Sequence, residues 1–313
     1  MNEDIFVVDQ SKPDEVAQMQ LPLPPPRLRY KVAGTEDADW FTKSGAMSLQ
    51  NLSRALAAIG RSFDEFNDVL EWGCGCGRIL RHLSPPSAPR RIYGFDIDQE
   101  AISWVTENLP WVEASRIDGL PPVPYVDASF DLIFNHSVMT HLDAFYQDAW
   151  LGELRRILRP GGIVTLTVSG RHAFQMFLDT LPLDTPARKT HAANLHAQGI
   201  VFIKEDEWSA QFPDFYHTSF NDVPYIFNHW ARFLDVCCYI PRGALNYQDL
   251  VVLQRPAEDG TRSCTYQDYV ALQRPVDDGK FALLVYAFGA LRRKLHFGWR
   301  LLRDGLGLSR EGR

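Results

Sequence analysis

Short apolar runs alternate with stretches of helical spacing through the middle of the chain. Val69 to Trp72, Arg91 to Asp96, Trp111 to Ile117, Ser129 to Phe134 and Ile163 to Val168 have the length and apolar density of buried strands. Between them, Gln99 to Val105 and Trp150 to Arg159 set apolar residues three and four apart, the spacing of a helix with one face on a core. This alternation predicts parallel strands joined by crossover helices. Asp98 is placed to cap the helix that begins at Gln99, a short helix is expected from Arg78 to Leu83, and another from Ser48 to Ile59. Pro160 should stop the helix before it, with Gly161 and Gly162 reversing the chain. The pattern then lapses for more than sixty residues before two further strands, Phe233 to Ile240 and Gln248 to Arg255, across a turn at Pro241-Arg242-Gly243.

The most specific local chemistry lies where the first strand ends, in Glu71-Trp72-Gly73-Cys74-Gly75-Cys76-Gly77-Arg78. Glycine at every second position lets the backbone turn out of a strand and bring bare N–H groups against a ligand. The dinucleotide fingerprint G-x-G-x-x-G is not met, because Arg78 stands where its third glycine belongs, and no Gly-Lys-Ser/Thr follows to make a phosphate loop. What remains is a turn that faces a nucleoside bearing an amino acid and no phosphate. Cys74 and Cys76 read as small side chains in a tight turn and not as metal ligands, since no second Cys/His pair has zinc-like spacing.

Glu71-x-Gly73-x-Gly75-x-Gly77 resembles motif I of the class I S-adenosylmethionine-dependent methyltransferases, and the later pieces follow in the family's order over roughly residues 30 to 256. The resemblance implies an α/β fold: a doubly wound, mostly parallel, seven-stranded Rossmann-like sheet whose last strand is antiparallel. S-adenosyl-L-methionine would be the donor and S-adenosyl-L-homocysteine the product. It assigns the donor to Glu71, Gly73, Cys74, Gly75, Gly77, Arg78, Asp96, Ile97, Asp118, Gly119, Asn135 and His136. Asp96, at the end of the second strand, would accept from both ribose hydroxyls. Asp118 would face the adenine amino group, while Asn135, His136 and Ser137 would line the channel beside the methyl. Arg78 is open between the donor carboxylate, a helix cap and a surface ion pair.

Methyl transfer from a sulfonium needs position and desolvation more than covalent help. A hydroxyl acceptor would also need a base to take its proton, and His136 and His141 are the local candidates, with His217 a distant one. The expected acceptor is a small molecule methylated on O or N, with glycan, lipid-linked and secondary-metabolite acceptors all open. The Asn/Asp-Pro-Pro-Tyr/Phe motif of base methylation is missing after the fourth strand. The competing readings are an aminopropyl transferase, which would want an acidic pair where His136-Ser137 stands, and a non-catalytic cofactor-binding scaffold.

Composition adds boundaries. The chain has 313 residues, 45% of them apolar, enough for one large core, and a net charge of −7 that does not favour nucleic acid. No run reaches the roughly 20 apolar residues that span a bilayer, and Met1 to Gln20 does not read as a signal peptide, so a cytoplasmic protein is expected. Three regions are expected. Residues 1–66 hold a start expected to be poorly ordered to about residue 30, with a polyproline stretch at Leu21 to Pro26, and a lid helix region in which Trp40, Phe41 and Gly45 form a lid or the two aromatics pack the core; 67–257 form the core, with a substrate insertion at about 171–233 rich in His and aromatics. Residues 258–313 form a C-terminal extension. It opens on a second copy of 247–260 at 266–279, identical at ten of fourteen positions. It continues in an apolar stripe from Leu284 to Leu306 with seven basic residues against two acids between 289 and 313. Residues 281–306 are therefore candidates for docking, dimerisation or peripheral contact with an anionic membrane.

Overall fold

The computed structural model describes residues 21–83, 90–183, 185–204 and 212–257. The repeat copy at 266–279, the stripe at 281–306, the basic C-terminus and residues 1–20 lie outside the described residues.

Seven strands make one sheet: β1 (Asp68–Trp72), β2 (Arg91–Asp96), β3 (Val112–Arg116), β4 (Phe130–Phe134), β5 (Leu158–Val168), β8 (Asp235–Ala244) and β9 (Gln248–Gln254), in the order β3-β2-β1-β4-β5-β9-β8. The first five pair in parallel, and β9 runs antiparallel between β5 and β8. Alternate side chains of each strand go to opposite faces, so both faces are apolar and both are covered. On one face Leu70, Trp72, Phe95, Ile133 and Val251 pack with Trp150, Leu151, Leu154 and Ile157 of α4 (Ala144–Ile157). On the other, Val69, Ile92, Leu132 and Val252 pack with Leu52, Ala55 and Leu56 of α2 (Ala38–Ala58) and with Ile102 and Val105 of α3 (Gln99–Asn108). The order reverses between β1 and β4, and the exits of those strands form the crevice in which such sheets hold ligands.

Asp98 caps α3 as expected, its carboxylate accepting from the N–H groups of Glu100 and Ala101. Elsewhere the boundaries move. Helix α2 begins at Ala38, ten residues before the expected start, because Asp37 caps it by accepting from Trp40 N–H; Trp40, Phe41 and Gly45 are thus part of the helix. Within the stretch expected to be poorly ordered to about residue 30, α1 (Pro26–Ala33) forms instead, starting on a proline whose fixed φ suits a helix's first position. The helix expected from Arg78 shrinks to a 3-10 turn, Leu80–His82. Pro160-Gly161-Gly162 does not reverse the chain after α4; the helix ends at Ile157 and the three residues form a bulge inside β5, between the pairs Phe130–Leu158 and Leu132–Ile163. Similarly Pro241-Arg242-Gly243 is a bulge in β8. The turn to β9 is made by Leu245 and Asn246, both left-handed (φ 50° and 55°), closed by Tyr247 N–H on the Ala244 carbonyl.

The region between β5 and β8 folds as α5 (Arg171–Leu178), α6 (Pro186–Gln198), an antiparallel pair β6 (Ile200–Ile203) with β7 (Thr218–Asn221), and α7 (Val223–His229). Ala173, Phe174, Leu178, Leu195, Val201 and Phe220 give it a small core of its own. It is tied to the main body by a buried amide pair: Gln147 Nε2 reaches Asn221 Oδ1 at 3.3 Å, and Asn221 Nδ2 donates back to Gln147 Oε1 at 3.0 Å.

Candidate functional site

The glycine run emerges from β1 as a loop in which Gly73, Gly75 and Gly77 all have positive φ, at 77°, 52° and 77°. The N–H groups of Gly73 and Cys74 fasten it to the Phe95 carbonyl of β2. Gly75 N–H donates to Asp96 Oδ2 at 2.7 Å, and the second carboxylate oxygen accepts from Asp98 N–H at 2.8 Å. Space is as restricted as backbone angle, since a Cβ on Gly75 would lie 2.5 Å from Val32 of α1. Helix α2 crosses the same loop at Gly45, where a Cβ would fall 2.0 Å from the Arg78 carbonyl. The two N-terminal helices therefore close over the turn, α1 also through the Lys31–Asp98 ion pair at 2.5 Å.

Several polar groups are buried around this loop without a full set of partners. Glu71 is 3% exposed and its Oε2 has no hydrogen-bond partner; burial holds its pKa well above the carboxylate range, against the pull of Arg78. Arg78 is buried rather than at the surface: Nη1 donates to Ser48 of α2 at 3.1 Å, and Nε is unsatisfied. Burial also raises Asp96, although the Asp98 and Gly75 N–H groups act the other way. Cys74 and Cys76 donate to the carbonyls of Gly75 and Leu28, and burial keeps both as thiols, Cys76 with a pKa raised to about 12.

The exit of β4 supplies the opposite side. Asn135 is buried, its Oδ1 accepting from Thr167 N–H and its Nδ2 without a partner. Ser137 is left-handed at φ 70°, an uncommon state for a residue with a Cβ, and is held there by three neighbours. Its N–H donates to Thr167 Oγ1 at 2.7 Å, its Oγ accepts from Gln248 Nε2 at 2.8 Å and it shares a bond with Thr140. His136 lies half-buried before it; burial and the charge of Arg78 depress its pKa well below that of free imidazole. His141 lies farther along. Its Nδ1 bonds the His217 carbonyl at 2.9 Å, its ring stacks on Tyr216 at 4.2 Å, and burial lowers it to about 4.

Thus Glu71, the three glycines, Arg78, Asp96, Asn135 and His136 converge on the β1, β2 and β4 exits. Ile97 is half-buried beside them. Asp118 sits at the margin, its carboxylate 79% exposed and paired with Arg116 at 3.2 Å, while the neighbouring Gly119 carbonyl accepts from Trp150 Nε1. Thr167, Gln248, Val32, Phe215 and Tyr216 escaped the sequence reading. Each arrives from a distant element and none has a motif of its own, although His217 marked the segment that carries the last two.

The glycine cradle, which a Cβ would fill, and the unsatisfied atoms of Glu71, Arg78 and Asn135 suit a ligand with both charge and hydrogen-bonding groups. Comparison with known proteins accords with this. Residues 69–162 match the family described as methyltransferase domain. A probable S-adenosylmethionine-dependent methyltransferase of Mycolicibacterium smegmatis is 29% identical over 193 residues, covering 62% of this chain and 67% of that protein. One from Mycobacterium tuberculosis is 30% identical over 139 residues, 44% of this chain and 47% of its own length. A fatty-acid O-methyltransferase of Mycolicibacterium smegmatis is 32% identical over 101 residues, 32% of this chain and 36% of that protein. The chain thus spans less than half of the second and third relatives.

Proposed function

We propose that the protein is an S-adenosylmethionine-dependent methyltransferase that transfers a methyl group to O or N of a small-molecule acceptor, a reading supported by the match of residues 69–162 to a methyltransferase domain and by the relatives named above. The observation that carries this reading is the Asp96 carboxylate, aligned by Gly75 and Asp98 N–H groups beside the glycine loop. In this reading Asp96 holds the ribose, the glycine loop and Arg78 the amino-acid part, and Ile97 with the Asp118-Gly119 backbone the base. The bound donor supplies an electrophilic methyl on a positively charged sulfur. The protein's part is to exclude water with α1 and α2, and to fix the acceptor against the β4 exit. Alignment of two reactants can lower a barrier by up to ~7–11 kcal/mol.

His136 and His141 are neutral at physiological pH but weak bases, because burial disfavours their charged forms. With these two histidines as its candidate bases, the site favours an acceptor that arrives with a free lone pair, a carboxylate or an uncharged amine, over an alcohol. The fatty-acid O-methyltransferase among the relatives is named for a carboxylate acceptor, in keeping with this preference. Incubation with S-adenosylmethionine and a panel of carboxylates, amines and alcohols, read as S-adenosylhomocysteine formed, tests the proposal. Carboxylates or amines should give product. Donor binding without turnover on any class would favour a scaffold role.

A further inference from the structure

The insertion between β5 and β8 reaches the donor side of the site as well as the acceptor side. The Phe215 ring lies against Gly119 at the exit of β3, so closely that a Cβ there would fall 2.4 Å from Phe215 Cζ and 2.6 Å from Cε1. Phe215 also stacks on Tyr146 of α4, with centroids 4.7 Å apart and 14° between planes. Phe215, Tyr146, Ile97 and Val138 all pack on the core of that face yet are left only half-buried, so apolar surface remains near the β2, β3 and β4 exits. Tyr216 extends toward the β4 exit, its hydroxyl 3.5 Å from the Ser137 carbonyl, and its phenol is kept protonated by burial and by the negative charge of Asp96.

The segment is held in place from both sides. His217 N–H donates to the His141 carbonyl at 3.0 Å while His141 Nδ1 bonds the His217 carbonyl, and a few residues on the Gln147–Asn221 amide pair anchors β7. Fixing backbone and side chains before a ligand arrives reduces the ordering cost of binding. A planar, uncharged base is held by apolar and aromatic faces, and Phe215 beside Gly119 offers one at the strand exit next to Asp96.

Resting on the donor reading above, we propose that the insertion forms a wall of the donor site, Phe215 covering the nucleobase and Tyr216 continuing that wall to the β4 exit. Donor affinity then depends on this segment, which a purely acceptor-selecting insertion would not affect.

Calorimetric titration of the full chain and of Phe215→Ala, Phe215→Leu and Phe215→Trp with S-adenosylmethionine and with adenosine tests this. Adenosine carries the base and ribose alone. Phe215→Ala and Phe215→Leu should each weaken both ligands by about tenfold, the loss of one aromatic contact with a base, and Phe215→Trp should restore most of it. Phe215→Leu keeps an apolar side chain of similar reach, so thermal melting separates loss of the ring from loss of the fold. Unchanged donor affinity in a folded Phe215→Leu would overturn the inference and leave the donor reading intact. No binding of S-adenosylmethionine by the unsubstituted chain would overturn that reading and this inference together.

Discussion

Gly75 donates its backbone N–H to the Asp96 carboxylate at 2.7 Å, so the loop after β1 and the end of β2 are joined through the side chain assigned to the ribose. The same carboxylate is tied to Asp98 N–H, and Asp98 in turn pairs with Lys31 of α1. The glycine loop, the end of β2 and helix α1 are therefore one connected structure.

Asp96→Ala removes a charged acceptor from two backbone donors and, in the proposed complex, from the ribose. Hydrogen bonds to charged groups are worth about 1.5–3 kcal/mol, so affinity for S-adenosylmethionine should fall about 10- to 100-fold. Calorimetry measures the loss, and a melting curve verifies that the variant is folded.

Gly75→Ala meets two obstacles, a left-handed φ of 52° and Val32 at 2.5 Å. Left-handed backbone costs an alanine about 1–2 kcal/mol, with the steric clash in addition. Thermal stability and donor affinity should both decrease. Adding Val32→Ala should recover the steric part and leave the backbone part, which a double-mutant cycle resolves.

Much of this site was legible because its signals are local. The alternating glycines, the apolar runs and the acid at the end of β2 lie within a few residues of one another, and Asp98 could be read as a cap from its place before a helical pattern. The errors fell where tertiary packing decides. Asp37 extends α2 across Gly45, a close approach to Arg78 that no spacing reveals. Pro160-Gly161-Gly162 has the composition of a turn but lies within a strand, where β4 and Arg255 hold the bulge on either side. Leu245 carries no turn signal, yet adopts a left-handed conformation with its N–H on Asn51 of α2. Phe215 and Tyr216 stood in a segment crowded with aromatics, and only the folded chain distinguishes them from their neighbours.

The reciprocal amides of Gln147 and Asn221 are both fully buried. Replacing Asn221 by Leu leaves Gln147 Oε1 without its donor, and replacing Gln147 by Leu leaves the Asn221 amide without its partner, each at a cost of about 1–3 kcal/mol, whereas replacing both should cost less than the two single changes combined. Denaturant titration of the three variants reads this directly. If Phe215 depends on that anchor, the single variants should also weaken donor binding.

His141 gives the stability a pH dependence of known sign. Its folded pKa of about 4 is below the ordinary value near 6.5, so the unfolded chain binds the extra proton first as pH falls. Stability contributed by the neutral ring is complete above about pH 6.5 and is lost progressively down to about pH 4, up to ~3 kcal/mol. Melting temperatures across that window should fall less steeply in His141→Asn, which keeps an N–H donor for the His217 carbonyl but cannot titrate.

In the proposed function the loop from Gly73 to Gly77, with Asp96, holds S-adenosylmethionine and not a dinucleotide. Calorimetric titration of the purified chain with S-adenosylmethionine and, separately, with NADH tests it most directly. S-adenosylmethionine should bind with micromolar affinity and NADH should not. Binding of NADH in preference, or no binding of S-adenosylmethionine by the folded protein, would contradict it.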